Sequence, residues 1–367
     1  MKKVLLFGLA LLLLGSGLFA DDAKVMPFRV GRFYLAPSFV YGTQTFDKDG
    51  SREDSGIYDS LSIFNLGAAL EFGAWKWVTA AVQWAPGINV WSKVDSDLLK
   101  DSVGSDSDIN LFGVADLFVG AKMQILGTEA PVQTDNFRLA FAPGVKIPLP
   151  GPDYKEQDKN VTNDDPMTVF NLDKHVLGVG LRTYFDYIIN ENFFINLYNE
   201  FIYYPVKGDV KKAGYPAYAL ADNIDKIIGM LPPGVISYSD DVDYGYDLTF
   251  ELEPVFTTNL AEGIQFSAGL PINYKTTPGT KYDFSYNEAA LSGALGPAAD
   301  PLIAQLKSME AEGEQTHSLS LRPNVSFFFT SWFLPMEFKL AYFAPLWGMN
   351  TRADHTVSFQ IRLYFKI

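Results

Sequence analysis

Hydrophobic and polar positions alternate with a period of two along most of this chain, in runs separated by polar stretches. From Leu111 to Ile125, Leu111, Gly113, Ala115, Leu117, Val119, Ala121, Met123 and Ile125 alternate with Phe112, Val114, Asp116, Phe118, Gly120, Lys122 and Gln124. The next run sets Phe137, Leu139, Phe141, Val145, Ile147 and Leu149 against Arg138, Ala140, Gly144 and Lys146. Successive side chains of a strand point to opposite faces, so each run reads as a strand with one large apolar face and one small or charged face. Twelve such runs follow one another: 32–46, 61–72, 77–91, 111–125, 137–149, 176–189, 193–205, 242–256, 264–275, 317–330, 337–347 and 355–367.

Their connections alternate in length. Long ones start at Asp47, Ser92, Pro150, Val206 and Thr276, and short ones lie at 73–76, 190–192, 260–263 and 332–335. An even strand count then puts the long loops outside and the short turns in the periplasm, as in bacterial outer-membrane barrels; a soluble sandwich has no reason to sort its loops. Trp75, Trp77 and Trp332 fall at short turns and Trp91 and Trp347 near outer ends, as two aromatic girdles require. The turn Asn190-Glu191-Asn192 also fixes a register: Arg182 opposite Glu200, Tyr184 opposite Tyr198 and Asp186 opposite Asn196, all facing the lumen. The expected fold is all-β, a single transmembrane antiparallel up-and-down β-barrel of about twelve strands with short helices in long extracellular loops.

Composition sharpens the class. Lys2 and Lys3, an apolar run from Val4 to Leu14 and small residues up to Ala20 read as a signal peptide over 1–20. Residues 21–31 read as a short periplasmic lead and 32–367 as the barrel. The early apolar run is too short to span a bilayer, and no later window of 18 apolar residues exists. With 48% hydrophobic residues, 29 Phe and 19 Tyr but no long apolar run, the chain suits side chains that meet lipid one at a time. A net charge of −14 argues against nucleic acid as a partner. There is no Cys to form disulfides or a zinc site. The three His residues, His175, His317 and His355, lie near outer strand ends, and His317 and Ser318 point to opposite faces, which speaks against a hydrolase dyad. The acidic loops 47–59 and 153–173 lack an ordered calcium-loop pattern. No enzyme, metal or cofactor is expected.

The run Gly113-Val114-Ala115-Asp116 with Gly120 and Lys122, followed by Ala142-Pro143-Gly144-Val145-Lys146-Ile147-Pro148, resembles the outer-membrane barrels of the phenol-degradation meta-pathway transporter family. More distantly it resembles the fatty-acid and aromatic-hydrocarbon channels. Ala115 replaces the second Gly of the family's G-x-G-D, Leu149-Pro150-Gly151 stands where Thr-Gly is usual, and the Asn-Pro-Ala start of the fatty-acid channels is missing. The last strand, with Val357, Phe359, Ile361, Leu363, Phe365 and Ile367 on one face, is similar to the signal read by barrel-assembly machinery, although it ends in Ile rather than Phe. The resemblance implies an outer-membrane channel or transporter for small, hydrophobic or aromatic molecules. The alternative is an adhesin-like barrel that displays loops without transport. Implied partners are outer-membrane lipid, the assembly machinery and a small hydrophobic ligand.

The non-apolar faces collect the candidate lumen residues: Asp116, Lys122, Arg138, Lys146, Arg182, Asp186, Glu200, Asp247, Glu251, Lys275, Arg322 and Arg362, together with Glu71, Asp243, Glu253, Glu337, Lys339 and Lys366. Both signs are mixed, so no simple anion or cation pore is announced. Two loop segments carry apolar stripes at helical spacing, Ile224, Ile227, Ile228 and Leu231 in one, Leu302, Leu306 and Met309 in the other. These stripes are candidates for capturing a greasy ligand at the outer mouth, or for packing as a lid on the rim.

Overall fold

The computed structural model describes residues 22–55, 58–95, 110–150, 167–169, 172–209, 228–229, 231–300, 302–303, 306 and 315–366. The signal reading of 1–20 lies outside them. Twelve antiparallel strands form the wall: β1 (Val30–Gly42), β2 (Ser60–Trp75), β3 (Val78–Asp95), β4 (Leu117–Leu126), β5 (Phe137–Ile147), β6 (Gly178–Asn190), β7 (Phe193–Tyr203), β8 (Tyr246–Ala261), β9 (Ile264–Gly269 and Ile272–Thr277), β10 (Thr316–Leu321 and Asn324–Phe329), β11 (Met336–Met349) and β12 (His355–Lys366). Neighbours in sequence are neighbours in space, and β12 pairs with β1 to close the barrel. Closure leaves no strand edge open to lipid, where an unpaired backbone group is costly.

Outward positions carry the apolar face all round, for example Leu35, Phe39 and Tyr41 on β1, Leu181 and Ile189 on β6, Phe250 and Leu252 on β8, and Val357 and Phe359 on β12, all exposed. A belt of that extent is stable in hydrocarbon and not in water. Trp75 and Trp332 are exposed at short turns, and Trp91 and Trp347 near the outer ends. The predicted register holds: Arg182 faces Glu200, Tyr184 faces Tyr198 and Asp186 faces Asn196. Asn199, the polar residue on the lipid side of β7, stands opposite Thr183.

The structure corrects the sequence reading in three places. First, β4 starts at Leu117; Asn110–Phe112 leaves the wall and pairs in parallel with Met167–Val169. Second, Val242 and Asp243 precede β8 and belong to an outer strand, Ile236–Asp243, which pairs with Gly208–Asp209 and Lys281–Tyr286. Asp243 is therefore exposed opposite Lys281 rather than in the lumen, and Lys366 is exposed at the end of β12. Third, β9 and β10 are each split, at Leu270-Pro271 and Arg322-Pro323, because proline has no N–H for the ladder. The amides of Leu270 and Arg322 bridge the gap by donating to the carbonyls of Pro254 and Pro271. The expected helix in the long outer loops is present: α1 (Glu288–Leu295) is capped by the Asn287 side chain and followed by a 3-10 turn at Gly296-Pro297, and Leu302, Ile303 and Leu306 beyond it are helical too.

Outside the wall, Gln44–Phe46 pairs with Arg52–Asp54 and Thr351–Arg352. Together with the two pairings above, this makes three small sheets that each join different outer loops. The loop stripes have a core of their own: Leu302 and Leu306 are buried with Val235, Ile236, Leu291, Ala299 and Ile303, and Ile228 and Leu231 pack against them. Ile224, Ile227 and Met309 lie outside the described residues.

Candidate functional site

Three inward glycines, Gly120, Gly144 and Gly180, face one another across β4, β5 and β6. A Cβ at Gly144 would collide with the Phe118 ring, which lies along this row. On the ring sits the Arg182 guanidinium, 3.7 Å from its centroid, and Arg182 also donates to Glu200 and to Gln83 Oε1. A desolvated cation over a ring is worth about 2 kcal/mol, so the glycines create the recess that holds this arginine against the wall. Gln83 passes the network on, donating to Glu71 Oε1 at 3.1 Å and to the Tyr34 hydroxyl at 3.3 Å. Arg32 pairs with Glu71. On the far side Arg362 pairs with Glu337 at 3.3 Å, and the Tyr364 hydroxyl donates to the same carboxylate at 2.8 Å. Arg322 meets Glu251 at 3.5 Å, and Asn273 donates to that carboxylate at 2.8 Å. These side chains surround or back a cavity of about 540 Å³ in the barrel, whose lining includes Lys122, Arg182, Arg362, Lys339, Tyr34 and Glu71.

The segment before β1 enters the periplasmic end of this space. The Ala23 amide donates to both oxygens of Asp186, at 3.2 and 3.1 Å, and Asp186 also receives Asn196 and pairs with Arg138. Lys122 donates to the Asp22 carbonyl at 2.9 Å, and the Met26 amide to Thr79 Oγ1 at 2.7 Å. The chain then crosses so close to β2 that a Cβ at Gly73 would run into the Pro27 carbonyl. Gly73→Ala is accordingly expected to dislodge this segment, seen as faster proteolytic cleavage within 22–29 while β1 to β12 stay folded; unchanged cleavage would refute the crossing as the anchor.

At the outer end, four residues of the loop between β5 and β6 fold inward as a strap. Leu172 is buried with Val40, Tyr58, Leu61, Ile63 and Val94. Asp173 pairs with Lys146 and accepts the Asp116 amide at 3.2 Å. Lys174 reaches Asp247 at 2.7 Å, which also receives the Tyr204 hydroxyl at 2.7 Å. The His175 amide donates to Asp116 at 3.1 Å, and its Nδ1 lies 3.1 Å from the same carboxylate. Burial alone would lower the His175 pKa, but Asp116, with Asp173 and the Leu149 carbonyl, outweighs it and holds the ring above its ordinary value.

The predicted residues thus fall into three groups. Asp116, Lys146 and Asp247 receive the strap, with Lys275 acting on Asp247 through space. Lys122, Arg182 and Arg362 line the cavity, while Glu200, Glu251 and Arg322 stand in its paired wall. Arg138 and Asp186 hold the entering segment. Sequence reasoning missed Arg32, Tyr34, Gln83 and the whole strap; the first three were legible as the inward partners of Phe33, Leu35 and Val82. His317 and His355 are each bound to a tyrosine hydroxyl, Tyr274 and Tyr342, at 2.7 Å. Among the described residues no group of three or more His, Asp or Glu is placed to hold a metal.

No family model and no curated protein matches this sequence. Among solved structures the chain is similar to the COG4313 outer membrane channel from Pseudomonas putida F1, at 12% identity over 95% of this chain and 100% of that one, with a TM-score of 0.58. Lower similarity is found to the P. putida toluene transporter TodX, at 10% identity over 98% and 94% of the chains and a TM-score of 0.38. A Pseudomonas aeruginosa FadL homologue matches at 9% identity over 92% and 90%, with a TM-score of 0.33. The first likeness is one of fold: a closed barrel of the bacterial outer-membrane kind.

Proposed function

We propose that this chain is an outer-membrane channel for small molecules that carry an apolar body, with the lumen closed at rest by the strap 172–175. The observation that carries this reading is the cavity of about 540 Å³ inside the wall. A barrel that only displays loops gains nothing from such a space, because filling it with side chains would add stability. Its size is that of a single small ligand. The resemblance to transporter barrels and the likeness in fold to an outer-membrane channel point the same way. Beyond the buried Leu172, the strap is held by ion pairs and hydrogen bonds, which water and a passing solute can replace. The test is single-channel recording with the purified chain in planar bilayers. Discrete openings that Asp173 and Lys174 substitutions enlarge would support the channel; silence in both the natural chain and those variants would favour the display barrel, for which the separately packed outer core speaks.

A further inference from the structure

Most charges of the cavity are matched inside the protein. Arg32 pairs with Glu71, Arg362 with Glu337, Lys24 with Asp22 at 3.4 Å, and Arg182 with Glu200 behind the lining. Lys122 donates to the carbonyls of Asp22 and Lys24, and Glu253 accepts from Asn324 at 3.0 Å. Lys339 is different. It lines the cavity half-buried on β11, opposite Ser326 on one side and Gln360 on the other, and among the described residues it makes neither a hydrogen bond nor an ion pair. Glu251 and Glu337 feel it only through space. One inward position along each neighbouring strand stand Phe328 on β10 and Arg362 on β12, and Phe328 packs on Tyr364 with ring centroids 4.8 Å apart. An aromatic face and an arginine already paired with Glu337 therefore flank the same ammonium.

Resting on the channel reading above, we propose that the cavity selects a small organic monoanion with a flat apolar body. Lys339 meets the carboxylate, with Arg362 beside it, and the body lies against Phe328 and Tyr364. One lysine without an internal partner matches one negative charge, since a cation in a half-enclosed site is stabilised by the anion it lacks. A neutral aromatic molecule would leave Lys339 as it is, and a cation would be repelled.

The test uses the full chain in detergent, with benzoate, benzyl alcohol and benzylamine as probes in calorimetric titrations. Benzoate is expected to bind at least about tenfold more tightly than either of the others. Lys339→Gln should remove that preference, Lys339→Arg should keep most of it, and Lys48→Gln, an exposed change in an outer loop, should leave it unaltered. Equal binding of the three probes by the natural chain overturns the proposal. So does unchanged benzoate affinity in a folded Lys339→Gln barrel, folding being read from heat-dependent gel mobility. If that variant does not fold, the three-probe comparison on the natural chain decides. Ion conductance without benzoate preference would defeat this inference and leave the channel standing; absent conductance would defeat the channel reading first.

Discussion

An Asp173→Ser/Lys174→Ser double variant is expected to raise single-channel conductance several-fold while the barrel remains folded. Both side chains are buried, and each neutralises a wall charge, Lys146 and Asp247. Removing one alone strands its partner in a low-dielectric site, at a cost of about 3 to 5 kcal/mol. Removing both leaves Lys146 and Asp247, which already share the Tyr204 hydroxyl, as a matched pair that water can solvate. The same strap should respond to pH. With its pKa raised in the folded chain, His175 contributes its full stabilisation below its unfolded value of about 6.5, and loses it as pH rises through the higher folded value. Conductance is therefore expected to climb as pH rises through the His175 range and to lose that rise in His175→Gln, while any increase left at more alkaline pH belongs to Lys174, whose pKa burial lowers. Natural-level conductance in the folded double variant would show that the strap does not close the path.

Glu200→Ala should be strongly destabilising for a single change in the wall. Glu200 is 1% exposed, and its loss leaves the Arg182 guanidinium with only Gln83 and the Phe118 ring. The expected cost is about 3 kcal/mol, the lower end for a broken buried pair, because those two contacts survive. Urea unfolding in lipid vesicles would measure it. An Arg182→Leu/Glu200→Ala double variant should recover most of the loss, since no charge is then buried without its partner. A Glu200→Ala barrel within about 1 kcal/mol of the natural one would mean that lumen water screens the pair as it screens exposed ones.

The strand runs were legible because lipid and lumen impose opposite demands on alternate residues, so β6 and β7 declared both their faces and their register. The splits at Pro271 and Pro323 were visible as prolines, yet alternation continues across them and the runs read as unbroken. The outer half of the fourth run misled for another reason: Leu111 and Phe112 alternate like wall residues but pair with a distant loop strand. The strap left almost no trace. Asp173, Lys174 and His175 look like any polar loop, and Leu172 ahead of them, in a run with Met167, Val169 and Phe170, does not by itself say that the segment turns inward. The entering segment was equally silent, because its hold on the wall runs largely through backbone amides such as those of Ala23 and Met26, which every sequence possesses.

The three small outer sheets tie the outer loops together in pairs. The loop after β1 is sewn to the one before β12, the loop after β3 to the one after β5, and the loop after β7 to the one after β9. No outer loop can therefore swing away alone without tearing a backbone ladder. On the channel reading proposed above, the rim is a laced collar whose lacing bounds the largest cargo even when the strap inside has let go. Engineering a wider intake would mean cutting a seam of the collar, for example between Ile236–Asp243 and Lys281–Tyr286, rather than enlarging the barrel itself.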